Sequence, residues 1–147
     1  MSVGAAGAGV DPAAAVFVDT SFYVALLNPR DELHASAVKA AGRLTGPRVT
    51  TASVLVETGN FLSAPGRREW FGRLWDAVAA DRQTTVIPDA PDLLAAGVAR
   101  FRSRPDKAWS LTDCLSMVVM GQENLHAVLT GDHHFRQAGF TPLLSKE

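Results

Sequence analysis

Val16-Phe17-Val18-Asp19-Thr20-Ser21 decides how the rest of this chain is read. Three β-branched or aromatic residues form a short buried strand, and the acid stops it. Thr20 to Leu27 then reads as a helix, ended by Asn28-Pro29.

Outward from that unit, strands and helices alternate. Asp31 to Leu44 reads as a second helix, with Leu33, Ala37, Ala40, Ala41 and Leu44 inward. After Gly46-Pro47, Arg48 to Thr51 is a second strand, leading into a helix from about Ala52 to Leu62. Pro65-Gly66 breaks the chain before a helix from Arg67 to about Arg82. In it Phe71, Leu74, Trp75 and Val78 mark one amphipathic side. Thr84 to Ile87 is a third strand, and Asp89 to Arg102 a helix with Leu93, Leu94, Val98 and Phe101 facing in. A loop from Ser103 to Ser110 precedes an apolar helix, Thr112 to Gln122, for which Thr112 is a suitable N-cap residue type. Ala127 to Leu129 is a fourth strand, Asp132 to Ala138 a short helix, and Phe140 to Leu144 a candidate edge strand. Such alternation implies a single three-layer α/β/α domain around a central, mainly parallel sheet. It is expected to span residues 16–147, behind a flexible Ala/Gly-rich arm at 1–15.

Bulk properties narrow the class. The chain has 147 residues, enough for one domain with its own core. No apolar run approaches the roughly 20 residues needed to cross a bilayer, so no membrane association is expected. Met1 to Ala15 lacks the basic and greasy parts of a signal peptide, which leads us to expect a cytoplasmic protein. Cys114 is the sole cysteine and sits in an apolar helix, where a thiol is usually a small core residue. The net charge is −1, from 14 Lys and Arg against 15 Asp and Glu. Four of those acids stand out by position, and setting them aside leaves a modestly basic remainder. Such a surface is compatible with a phosphodiester substrate without requiring one.

The four are Asp19, Glu57, Asp113 and Asp132. In open parallel sheets, ligands bind where the chain leaves a strand for a helix. Asp19 ends the first strand, Glu57 lies two turns into the helix after the second, and Asp132 follows the fourth through Thr130-Gly131. Asp113 opens the apolar helix. Each has an ordinary alternative: a turn residue, a solvated helical acid, a partner for a helix dipole, a cap. Taken together, they would repel if the fold gathered them, and hard divalent cations would remove that cost. His133-His134 beside Asp132 invites zinc, but one Cys and two further His, His34 and His126, make a poor ligand set. Arg100, Arg102, Arg104 and Lys107, followed by Trp109, fit a nucleic-acid groove, but the solvated loop is the leading reading. No Gly-rich phosphate loop is present. A phosphotransferase with a strand-ending Asp nucleophile would want a second acid where Ser21 stands.

Four segments carry a resemblance: Phe17-Val18-Asp19-Thr20-Ser21, Val56-Glu57-Thr58-Gly59-Asn60, Leu111-Thr112-Asp113-Cys114-Leu115-Ser116 and Leu129-Thr130-Gly131-Asp132-His133-His134-Phe135. In this order they resemble the PIN-domain family over residues 16 to 144. The resemblance implies a metal-dependent ribonuclease in which the four acids hold one or two Mg²⁺ or Mn²⁺ ions. Asp19 and Asp113 would be central, with Glu57 and Asp132 toward a second ion. Ser21 matches a supporting hydroxyl of the family, Thr112 is a second candidate by adjacency, and Asn60 a candidate carboxylate partner. His133, His134, Arg102, Arg104 and Lys107 are candidates for RNA contact. Compact members resemble the toxins of VapBC toxin–antitoxin pairs, implying an RNA substrate, a cognate antitoxin and a homodimer. A PIN-like binding module without cleavage, or an RNA-processing nuclease, are the competing readings.

Overall fold

The computed structural model describes residues 9–146. Its centre is a five-stranded, wholly parallel sheet in the order β3-β2-β1-β4-β5. The strands are β1 (Val16–Val18), β2 (Arg48–Thr51), β3 (Thr84–Ile87), β4 (Ala127–Leu129) and β5 (Thr141–Pro142). Helices α1 (Thr20–Leu27), α2 (His34–Arg43), α3 (Ala52–Phe61), α4 (Arg68–Ala80), α5 (Pro91–Ser103), α6 (Leu111–Gln122) and α7 (His133–Gln137) connect and flank them. This is the expected three-layer α/β/α domain.

The central strands carry continuous apolar runs because helices cover both faces of a parallel sheet. Phe17, Val18, Val128 and Leu129 are fully buried, and β1 lies directly between β2 and β4. The chain runs from β1 outward to β2 and β3, then returns to β4 on the opposite flank of β1. The strand order therefore reverses between β1 and β4. A crevice opens at such a reversal, beyond the carboxyl ends of the strands. Asp19 and Thr130 follow β1 and β4 there, and the Asp19 N–H bonds to the Leu129 carbonyl at 3.2 Å.

Local contacts fix the elements that border the crevice. Thr51 caps α3, its side chain accepting the Val54 N–H at 3.1 Å, and the Thr50 hydroxyl donates to the Val18 carbonyl at 2.8 Å. Helix α7 has only five residues, too few to persist unaided. Two features hold it: the Asp132 cap and the ring of Phe135, which is fully buried. Burying a side chain of that size contributes about 1.5–3 kcal/mol.

Two expectations need correction. Trp75 lies on the apolar side of α4 yet is 55% exposed, and Leu74 is the residue of that helix that is buried. On α5, Leu93 turns inward as expected, but Leu94, Val98 and Phe101 are exposed, and Gly97 makes the contact with α6 through Leu115. Periodicity identifies the apolar side of a helix but not whether the chain's own sheet extends beneath it. Here α4 packs against α3 beside the edge strand β3, leaving an apolar groove between Val56, Phe71, Trp75 and Val86. Residues 1–8 lie outside the described residues, but the segment just before β1 packs on the domain. The Pro12 carbonyl accepts the N–H groups of Thr45 and Gly46 at 2.8 and 3.1 Å.

Gly46 is what lets that segment approach. A Cβ there would run into the carbonyl oxygens of Ala13 and Ala14. We expect Gly46→Ala to lower stability by about 1–3 kcal/mol in chemical denaturation, because backbone rather than a movable side chain must yield. An unchanged midpoint would mean that residues 10–15 contribute nothing to the fold.

Candidate active site

Asp19 is 4% exposed at the carboxyl end of β1. Its Oδ2 accepts the Thr130 hydroxyl at 2.8 Å and lies 3.4 Å from the Ser21 hydroxyl. Ser21 Oγ and Thr130 Oγ1 are themselves 2.9 Å apart. The Gly131 N–H donates to Ser21 Oγ at 3.3 Å, and the Asp132 N–H to Thr130 Oγ1 at 3.1 Å. These hydroxyls tie the end of β1 to the turn after β4. The other oxygen, Asp19 Oδ1, is buried with no hydrogen-bond partner.

Asp113 performs two tasks. It forms a capping box with Ser110: the Ser110 N–H donates to Asp113 Oδ2 at 3.0 Å, and the Asp113 N–H donates to Ser110 Oγ at 3.0 Å. Its carboxylate also lines the crevice. The cap is thus Ser110 and not Thr112. Asp132 caps α7 by accepting the His134 N–H at 2.9 Å. His134 links the two acids, its Nδ1 lying 3.1 Å from Asp113 Oδ2 and 3.2 Å from Asp132 Oδ2.

One pocket of about 380 Å³ collects these groups. Asp19, Ser21, Glu57, Asp113, Asp132 and His134 all line it, with Val24, Leu33, Phe61 and Ala108 as apolar wall. Asp31 is a fifth carboxylate in the lining that sequence reasoning missed. Its Oδ1 accepts the Leu33 N–H at 2.8 Å in a turn. Thr130 was missed as well. It is the hydroxyl that holds Asp19, whereas Thr112 lies outside the lining.

Other candidates lie elsewhere. Asn60 is exposed and lines the apolar groove with Trp75, away from the carboxylates. Trp109 is buried, its Nε1–H donating to Gln137 at 3.1 Å with the Arg100 and Arg104 guanidinium groups over its ring, so it offers no free face to a base. Arg104 pairs with Asp106 at 3.0 Å, and Arg102 is exposed. Lys107 is half-buried next to the pocket residue Ala108, and His133 is exposed at the rim.

Among the described residues, five carboxylates line this pocket and no Lys or Arg does. The consequence falls on Asp19. Burial pushes its carboxyl up to about 7, the Thr130 hydrogen bond opposes this, and the charges of Asp113 and Glu57 add to it. A divalent cation fits such a place. The donors are hard oxygens plus one imidazole, the charge is uncompensated, and a buried carboxylate oxygen lacks a partner.

The chain matches the PIN domain model over residues 16–141. It belongs to the PIN-domain family. Among solved structures, its fold is similar to that of VapC20 from Mycobacterium tuberculosis, a toxin that cleaves the sarcin–ricin loop. The TM-score is 0.82 and the identity 24%, covering 88% of this chain and 99% of that one. It is also similar to VapBC2 from Rickettsia felis, solved bound to a promoter DNA fragment. There the TM-score is 0.61 and the identity 13%, covering 84% of this chain and 92% of that one. No match is found among curated proteins. Among the described residues of this PIN domain, no helix is long and apolar enough to cross a membrane.

The Asp19 shift has a thermodynamic sign. Its folded-state pKa is raised from 3.8 to about 7, so neutral Asp19 favours folding fully below about pH 4. That contribution is lost as pH rises through about 7. Without divalent ions, Asp19→Asn is therefore expected to be more stable than the wild type at pH 8 by roughly 2–4 kcal/mol, and nearly equal to it at pH 4. Denaturant melts at the two pH values check this; an equal gap at both would mean Asp19 ionises freely.

Proposed function

We propose that this chain is a divalent-metal-dependent endoribonuclease that hydrolyses RNA phosphodiester bonds, acting as the toxin of a type II toxin–antitoxin pair. The observation that carries the reading is the buried, unpartnered Asp19 Oδ1 in a pocket shared with Glu57, Asp113 and Asp132. PIN-domain membership supports the same chemistry. The similar fold of a toxin that cleaves an RNA loop supports the substrate class.

Asp19 and Asp113 would hold an Mg²⁺ or Mn²⁺ ion, with Glu57 and Asp132 holding a second or steadying its waters. The ion, when bound, supplies an activated water and neutralises charge developing on the phosphate. The chain's own residues set the stage for that chemistry. Thr130 and Ser21 fix the Asp19 carboxylate through Oδ2, leaving Oδ1 as the donor. The capping box at Ser110 orients Asp113 through backbone geometry. Phe61 stands one helical turn beyond Glu57 at the pocket wall, 65% exposed, and offers a face on which an unpaired base stacks. Lys107 and the exposed Arg102 provide positive charge for the RNA backbone on the Ala108 side, with Arg104 partly neutralised by Asp106 and His133 at the rim. The reading includes a small cognate antitoxin that blocks the site and the pairing of two copies of the chain.

RNA cleavage with Mg²⁺ or Mn²⁺ is expected, and EDTA should abolish it. Asp19→Asn or Asp113→Asn should reduce the rate by about 100-fold or more, as when an active-site electrostatic group is removed. Cleavage indifferent to EDTA would remove the metal mechanism, and wild-type silence across ribosomal, transfer and messenger RNA would remove the nuclease. Thr130→Val keeps the shape but loses the hydroxyl. It should cost about 10–100-fold in activity or metal affinity, as outer partners of metal ligands do. Full activity would show that Asp19 needs no such anchor.

A further inference from the structure

His134 is the one nitrogen base in a lining otherwise built from acids, hydroxyls and apolar groups. Resting on the metal-dependent reading above, we propose that His134, with His133 beside it, makes the α7 side of the pocket a mixed nitrogen–oxygen cation site that selects first-row transition ions, Mn²⁺ the weakest-held among them, over Mg²⁺.

The geometry carries this. One ligand atom each from Asp132, His133 and His134 lies within 4.8 Å of the others. Nδ1 of His134 is 3.2 Å from Asp132 Oδ2 and 3.1 Å from Asp113 Oδ2, and Nδ1 of His133 is 3.6 Å from Asp132 Oδ1. Bonds of about 2.0–2.2 Å to nitrogen and oxygen place neighbouring ligand atoms roughly 3.0–3.5 Å apart. These side chains already stand near the spacing of a coordination shell. A second, independent observation points the same way: Asp19, whose buried Oδ1 lacks a hydrogen-bond partner, lines the same pocket.

The arrangement is preorganised. Phe135 is fully buried directly after His134, and the Asp132 cap fixes the first turn of α7, so the ring starts from a held backbone. Asp132 serves the cap through Oδ1, leaving Oδ2 on the His134 side. Mg²⁺ prefers oxygen ligands and gives up its waters reluctantly, whereas first-row transition ions accept imidazole more readily, Mn²⁺ least among them. The rival reading makes His134 a hydrogen-bonded counter-ion between two acids, to be displaced when any cation enters.

The test uses the metal-free full chain without RNA. Mn²⁺ and Mg²⁺ are titrated calorimetrically into wild type, His134→Gln and His133→Gln, and the Mn²⁺ complexes are examined by pulsed electron paramagnetic resonance for ¹⁴N coupling. We expect ¹⁴N coupling in the wild type and its loss in His134→Gln. Mn²⁺ affinity should fall by roughly tenfold or more, since even outer partners of a ligand cost that much. Mg²⁺ affinity should stay within about threefold. His133→Gln should show a smaller loss of the same kind. Wild-type Mn²⁺ binding without ¹⁴N coupling, or equal changes for both ions in His134→Gln, overturns the proposal while leaving the metal-dependent nuclease intact. Failure of the wild type to bind either ion overturns both. Should His134→Gln fail to fold, the ¹⁴N spectrum of the wild type decides alone.

Discussion

Taking a carboxylate out of water is costly, neighbouring carboxylates add to that cost, and the two together govern this pocket. Asp19 bears most of it. It is the most deeply buried of the acids, and only one of its oxygens has a hydrogen-bond partner. A protein can meet the cost by protonating the acid, by supplying a basic side chain, or by binding a cation. Among the described residues the lining holds no Lys or Arg, and its imidazole, His134, pairs with Asp113 and Asp132, so for Asp19 the first and third remain, and they exclude each other at a given moment. The raised proton affinity of Asp19 and its suitability as a metal ligand therefore have one cause.

The fold enforces the encounter at little local expense. Reversal of the strand order beside β1 sets the ends of β1 and β4 next to each other, so Thr130 reaches Asp19 across more than a hundred residues of sequence. Asp113 and Asp132 also cap the helices they precede or begin, so removing either acid affects helix stability as well as the pocket. The plain structural roles of these two residues and their proposed functional ones coexist in the same side chains. In Asp132 the two oxygens divide the work, Oδ1 serving the helix and Oδ2 meeting His134, whereas in Asp113 Oδ2 meets both the Ser110 N–H and His134.

Much of this was legible in the sequence. Strands such as Val16–Val18 and Ala127–Leu129 announce themselves because a doubly covered strand must be apolar throughout, and their ends are marked by Asp19 and by Thr130-Gly131. Ser110 was also readable: Ser-x-x-Asp is a capping box, a stronger signal than the hydroxyl of Thr112 standing next to the acid. Thr130 and Asp31 were not, because their roles exist only once β4 lies beside β1 and the turn after α1 folds over the crevice. The outward Trp75, Leu94, Val98 and Phe101 show a different limit. Their spacing fits an inner stripe, yet the sheet ends at β3 and α5 contacts α6 through Gly97. A stripe of that kind records where apolar side chains point, and the edge of the sheet determines what covers them.

Helix α7 unites these themes, since its cap Asp132, its imidazole His134 and its buried anchor Phe135 fall within four consecutive residues. The central claim, that a cation between Asp19 and Asp113 makes the gathering of acids tolerable, is tested most directly by anomalous diffraction from crystals grown with Mn²⁺ near neutral pH. The account predicts an anomalous peak within bonding distance of Asp19 Oδ1 and the Asp113 carboxylate. A well-ordered pocket with no peak at saturating Mn²⁺, or a peak bonded to neither acid, would contradict it.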